Sequence, residues 1–263
     1  IWLLDGHHNH NKSYTETTFS FSGIIERKVS ERLQISYGGM YKILRSMHSA
    51  NNGIFDLIKV PLQLRWTNAD SLLDPTRGMT VQLRATPSLQ IRNPRFAYSI
   101  NTFTGTHYQS LRKDHSVIFA TKLTVGSIFG ASNHDIPPPE RFYAGSENTL
   151  RGYRFLTVSP LGRRDKPLGG RSLLIYTLEL RTKIQKNFGL VFFYDIGNVY
   201  KNFFPNLKKG ILQSTGLGIR YYTPIGPVRL DIAFPLNRRK KLEHRHGHID
   251  SVMEAYFSIG QSF

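Results

Sequence analysis

The sequence predicts an all-β fold, an antiparallel transmembrane β-barrel, and three observations predict it. Segments of about ten residues alternate apolar with polar or small side chains, as a barrel strand must when lipid lies outside and water inside. Connections between segments alternate short and long, the pattern of tight turns on one rim and long loops on the other. The chain closes on YFSIGQSF (256–263). In it Phe263, Gln261, Ile259, Phe257 and Ala255 fall on one side, and Ser262, Gly260, Ser258, Tyr256 and Glu254 on the other. An aromatic at the very end, Phe263, suits the interfacial girdle of a barrel.

Taken in chain order, residues 1–6 read as the tail of a strand, and 14–26 and 33–45 as weakly alternating strands. Ile58, Val60, Leu62, Leu64 and Trp66 alternate with Lys59, Pro61, Gln63 and Arg65. Val81, Leu83, Ala85, Leu89 and Ile91 alternate with Gln82, Arg84, Ser88 and Gln90. Pro61 and Pro87 lack the donor that a central strand uses, so bulges are expected at both. A weaker strand follows at 97–109, then Val117, Phe119, Leu123 and Val125 opposite Ala120, Lys122 and Gly126. The longest loop covers roughly 130–170, and PPP at 137–139 stiffens its start.

Alternation is cleanest after this loop. Leu174, Tyr176, Leu178 and Leu180 oppose Ile175, Thr177, Glu179 and Arg181. Phe188, Leu190, Phe192, Tyr194 and Ile196 oppose Val191, Phe193, Asp195 and Gly197. Leu217, Ile219 and Tyr221 oppose Gly216, Gly218, Arg220 and Tyr222, and Val228, Leu230, Ile232 and Phe234 oppose Arg229, Asp231 and Ala233. Charges lie on one face every time, and a slip of one residue would place them in lipid, so the register is strongly specified. The turns KIQKN (183–187) and TPIGP (223–227) are short, whereas 201–213 and 237–251 are long. The expected count is about eleven or twelve strands, all within one barrel domain spanning 1–263.

Composition fits this reading. No run of about eighteen apolar residues exists, so no spanning helix is expected. With no cysteine, a disulfide scaffold and a thiolate zinc site are excluded. The net charge of +17 raises nucleic acid as a partner. The basic residues, however, gather in connections, at Arg163-Arg164, Lys208-Lys209 and Arg238-Arg239-Lys240-Lys241. Nucleic acid is therefore not expected, and the phosphates of lipopolysaccharide or plain solvation account for the charge. His7, His8 and His10, and His244, His246 and His248, are expected in extracellular loops without a carboxylate or cysteine to complete a metal site. No GxSxG, HExxH, P-loop or dinucleotide fingerprint occurs, and neither an enzyme nor a cofactor is expected.

The long loop contains ERFYAGSENTLRGYRFLTVSP (140–160), followed by LGGRSLLIYTLELR (168–181). FYDIGNVY (193–200), GLGIRYYTPIGPVRLDIAFPL (216–236) and the terminal IGQSF come next, and SLLDPTRG (71–78) lies upstream. In this order and spacing the blocks resemble the BamA/TamA superfamily of outer-membrane assembly and translocation barrels, most nearly its TamA branch. The likeness covers about 71–263 by motif and 1–70 by pattern. Two departures stand out: Leu150 replaces the usual Val or Ile, and Ser146 breaks the Gly pair expected after FYAG.

The resemblance implies a bacterial outer-membrane barrel of about sixteen strands, with POTRA domains and the first strands lying outside this chain. It begins Ile1-Trp2-Leu3-Leu4 and is expected to be the C-terminal part of something longer. The implied function is insertion or export of unfolded β-barrel or autotransporter-type clients through a lateral seam, with a periplasm-spanning partner reached through the POTRA domains. The loop motif Leu150-Arg151-Gly152-Tyr153 is implied to lock inside the barrel, with Arg151 against Glu179 and Asp195. Both acids fall on the lumen face of their strands, and a guanidinium fork suits carboxylates in a partly dry space. Asp231 and Arg229 are expected to be plain wall charges. Phe257, Ile259, Gly260 and Phe263 are implied as terminal-strand signal and seam. The alternative is a passive pore, or a barrel anchoring a passenger domain.

Overall fold

The computed structural model describes residues 1–47, 52–185, 187–208, 210–224, 226–241 and 247–259. Among them, thirteen strands form one antiparallel sheet. They are β1 (Trp2–His10), β2 (Thr15–Lys28), β3 (Leu33–Met47), β4 (Gly53–Lys59), β5 (Leu62–Thr67), β6 (Gly78–Gln90) and β7 (Phe96–Ser110). β8 (Val117–Gly130), β9 (Ser172–Gln185), β10 (Phe188–Tyr200), β11 (Leu212–Thr223), β12 (Gly226–Pro235) and β13 (Glu254–Ile259) complete it. Each strand pairs with the next in chain order except β4 and β5, which share one place between β3 and β6. No helix of the described residues is long and apolar enough to cross a membrane; the strands do the crossing.

The alternation read from the sequence is the pleat observed. Along β12, Leu230, Ile232 and Phe234 are exposed on the outer face, while Arg229, Asp231 and Ala233 are buried inside. β11 exposes Leu217, Ile219 and Tyr221 and buries Arg220. The outer face continues through Leu190 and Phe192 of β10, Leu83 of β6, Tyr41 and Ile43 of β3, and Phe19 and Phe21 of β2. A soluble protein does not present so broad an apolar surface, whereas lipid removes its cost. The inner wall is polar where the sequence alternated least clearly: Glu16, Thr18, Ser20 and Ser22 of β2 are all buried.

Two expectations are corrected. There is no bulge at Pro61 or Pro87. Met40 pairs with Lys59 before the gap and Tyr37 with Leu62 after it, three residues on in both strands. Across β6 the same holds from Lys59–Ser88 to Leu62–Ala85. The two prolines fall at the same level of adjacent strands, so the missing donors open one local gap in the ladder and leave the register unchanged. Pro61 and Pro87 still serve as acceptors, from the backbone N–H of Gly38 (3.1 Å) and Val60 (2.9 Å). Among the described residues a register shift lies between β9 and β10 at Phe188/Gly189. The HHNH segment is strand rather than loop. Alternation in β1 puts His7 on the opposite face from His8 and His10, with His7 Nδ1 2.8 Å from Asp5 and the other two beside Thr17 and Thr15. His244 and His246 lie outside the described residues.

The described parts of the connections at 131–171, 201–211 and 236–253 share one rim, together with all three basic clusters apart from Lys209, which lies outside the described residues. The opposite rim carries 29–32, 68–77, 111–116, Asn187 and Pro224. SLLDPTRG forms the link from β5 to β6, where Asp74 pairs with Lys183 of β9.

Candidate functional site

Segment 131–171 turns inward, and much of it is buried against the inner wall. Pro137 precedes a 3₁₀ turn at Pro138–Glu140, for which the fixed φ of proline is preorganised. Beyond it the entry and exit limbs bind each other. Phe142 and Gly170 exchange backbone hydrogen bonds of 2.9 Å, and Ala144 and Val158 do the same at 3.0 and 2.9 Å. Arg141 donates from Nε and Nη2 to Ile136 O and from Nη1 to Leu168 O. Apolar side chains seat the loop in two places. Ile136 packs with Leu44, Phe55, Leu57, Tyr98 and Ile128, and Leu150, Tyr153 and Val158 pack with Leu173, Ile175, Val199 and Leu212.

The tip of the loop carries LRGY. Arg151 is 1% exposed and meets three acids from three strands. Asp195 of β10 takes the fork, with Nε at 2.8 Å and Nη2 at 2.9 Å, and also accepts from the Arg151 backbone N–H at 3.1 Å. Nη1 donates to Glu179 of β9 at 2.8 Å and to Asp231 of β12 at 3.3 Å. The guanidinium lies 3.5 Å over the Phe193 ring. Burial opposes its charge, but Asp195 and Glu179 outweigh burial and raise its pKa. The acids are shared: Arg181 donates to Glu179 at 2.8 Å, Arg220 pairs with Asp231, and Arg229 lies 3.5 Å from Asp231. Gly218 makes room for this, since a Cβ there would sit 2.0 Å from Asp231 Oδ1. Lys122 of β8 reaches Asn148 O beside the tip, at 3.0 Å.

The neighbours of Arg151 in the motif are equally enclosed. Leu150 and Tyr153 are fully buried. Tyr153 Oη donates to Gln213 O and lies 2.8 Å from Asn237 Oδ1. Gly152 has φ +85°, and a Cβ there would meet Pro235 N and Ser214 Cβ at 3.1 Å. Its N–H donates to Tyr256 Oη at 2.9 Å, and Tyr256 donates onward to Tyr153 O at 3.1 Å. The terminal strand β13 is thereby tied to the loop tip.

At the base of the loop, Glu140 is clasped by Lys42 of β3, at 3.0 Å, and Lys59 of β4. Burial works against its charge, yet Lys59 and Lys42 prevail and hold its carboxyl down at about 2.

The structure thus brings Leu150, Arg151, Gly152, Tyr153, Glu179 and Asp195 into one place. It puts Phe257 and Ile259 elsewhere, exposed on the outer face of β13; Gly260 and Phe263 lie outside the described residues. The wall-charge reading of Asp231 is corrected, because the inward pleat of β12 points its carboxylate at Arg151. Tyr256 and Glu140 were missed. Tyr256 was visible on the small, polar side of the terminal strand, and Glu140 opens the ERFYAG block, but neither position revealed a partner more than a hundred residues away or on another wall.

The comparisons agree with this architecture. Over 164 residues the chain is 29% identical to outer membrane protein assembly factor BamA of Nitratidesulfovibrio vulgaris, covering 59% of this chain and 19% of that protein. It is 26% identical over 211 residues to a SAM50-like protein of Schizosaccharomyces pombe, covering 73% and 43%. The chain spans less than half the length of either relative. The crystal structure of BamA from Haemophilus ducreyi lacking POTRA domains 1–3 shares the fold, with a TM-score of 0.78 at 17% identity, over 99% of this chain and 57% of that one. The Omp85 superfamily domain matches residues 5–263, and the chain belongs to that superfamily of outer-membrane β-barrels.

Proposed function

We propose that this barrel inserts or exports other β-barrel and autotransporter-type proteins across the bacterial outer membrane, through a seam at β13, with the inward loop as a lock. The observation that carries the reading is the joint engagement of Arg151 by β9, β10 and β12, with Tyr256 of β13 bonded to the same motif. A brace that also touches the last strand couples the state of the loop to the state of the seam. Among the described residues β13 pairs with β12 through six residue pairs, Val228–Ile259 to Ala233–Glu254, and its other edge carries no strand. An unpaired strand edge in lipid is costly, and a client strand that adds to it relieves the cost. The TamA-like role rests on the motif resemblance. The basic clusters on the long-loop rim suit lipopolysaccharide phosphates as a surface partner. A loop packed into the lumen speaks against an open pore.

The test is client assembly by the full-length protein carrying Arg151→Ala or Glu179→Gln, alongside its own heat-modifiable mobility. The reading expects assembly to fall at least about tenfold for Arg151→Ala. Wild-type assembly by both variants would remove the lock. High single-channel conductance, with no crosslink from Ser258→Cys to client strands, would favour the passive pore instead.

A further inference from the structure

Two buried ion-pair clusters tie the inward loop to the wall, one at its base and one at its tip. Its base sits against β3 and β4. There Glu140 is shared by Lys42 and Lys59, with the Glu140 side chain 4% exposed and that of Lys59 9%. Ile136 packs beside them, and the Phe142–Gly170 pair and Arg141 bind the two limbs together. Its tip sits against β9, β10 and β12 through Arg151.

The two attachments differ in what release would leave behind. If Arg151 departs, Glu179 keeps Arg181 and Asp231 keeps Arg220; Asp195 alone loses its guanidinium. If Glu140 departs, two ammonium groups remain on the inner wall, and among the described residues neither Lys42 nor Lys59 has another ion-pair partner. Uncompensated buried charge is the costly outcome, and release strands two charges at the base against one at the tip.

We propose that Glu140, with Lys42 and Lys59, is the fixed pivot of the loop, and that Arg151 is its latch. Release at Arg151, followed by loss of the Tyr256 and Arg239 bonds to Gly152 and Thr157, frees the tip to swing while the base stays on the β3–β4 wall. Glu140 is then a positioning residue, setting where the loop re-enters the lumen. This rests on the lock reading above.

Segment-resolved hydrogen exchange on the full chain folded in detergent micelles tests it. In the wild type, the amides of Phe142 and Gly170 at the base should exchange more slowly than those of Ala144 and Val158 nearer the tip. Arg151→Ala should speed Ala144 and Val158 at least about tenfold and leave Phe142 and Gly170 unchanged. Glu140→Gln should speed the base as well. If that variant does not fold, Lys42→Gln, which leaves Lys59 on Glu140, should speed the base to a smaller degree. Base and tip freed together by Arg151→Ala, or a base unmoved by the Glu140 and Lys42 changes, would overturn the pivot. The readout is independent of client assembly. A tip freed by Arg151→Ala with assembly intact would leave the pivot standing and defeat only the assembly role of the lock.

Discussion

At Arg151 a single side chain has to satisfy carboxylates arriving from three strands. A guanidinium does so because its donors form a planar fork with a further N–H pointing elsewhere, whereas an ammonium is a point charge. Arg151→Lys should therefore lose most of the arrangement, and Arg151→Ala should cost about 3–5 kcal/mol by leaving buried acids short of a partner. The urea midpoint for loss of the folded gel mobility measures both, and a shift under about 1 kcal/mol for the alanine variant would contradict the ion network described. Gly152→Ala adds a Cβ at φ +85° against Pro235 and Ser214. Left-handed backbone costs an L-residue roughly 1–2 kcal/mol before any crowding, so the same midpoint should fall by at least that much. Tyr256→Phe removes one donor and one acceptor shared with Gly152 and Tyr153. A loss of about 1 kcal/mol is expected, with faster exchange of the Gly152 amide as the local sign. Residue roles were legible in part. The lumen face of Asp195 and Glu179 follows from a period of two, but the same period marked Asp231 and Tyr256 without saying that Arg151 and Gly152 would come to meet them.

Among the elements, the inward loop answers to pH through its base. The Glu140 carboxyl is held at about 2, against 4.5 for an ordinary glutamate. A depressed folded-state pKa gives stability that is fully present above the unfolded value and is lost as pH falls through the folded one. Acidification from about 4.5 to about 2 should accordingly loosen the loop base. Pepsin, active in that range, reads this directly: cleavage within 131–171 should rise across the window in the wild type, and Glu140→Gln should be cleaved readily at its upper end. A flat wild-type profile would show that the clasp does not hold the base. The β4–β5 break shows a different limit on reading elements. Pro61 and Pro87 signalled a disturbance, but whether it would be a bulge or a gap depended on their lying at the same level, and that is a property of the pairing. Likewise HHNH carried a loop-like composition, yet it continues β1 because β2 offers it a complete ladder.

Over the whole molecule, the outer face is a band of Leu, Ile, Phe and Tyr and the inner face receives the chain's own loop. Leu217→Arg, at the middle of β11 on the lipid side, should destabilise the barrel by about 2–4 kcal/mol, with a smaller penalty for the same change nearer a rim. Folding yield into lipid vesicles, scored by heat-modifiable mobility, checks this, and equal yields at both depths would argue against the placement in lipid. The sequence by itself determined the class of fold, the faces of the strands, the alternation of rims and the motif in the loop. These depend on local periodicity and on the one-way cost of placing charge in lipid. Only the tertiary structure decided which wall each end of the loop would reach, that Asp231 would be a third acid, that Glu140 would be clasped between Lys42 and Lys59, and that Tyr256 would join the last strand to LRGY. The physical reason is that such contacts depend on how a curled sheet brings distant strands around one buried segment, and no periodicity along the chain encodes that distance.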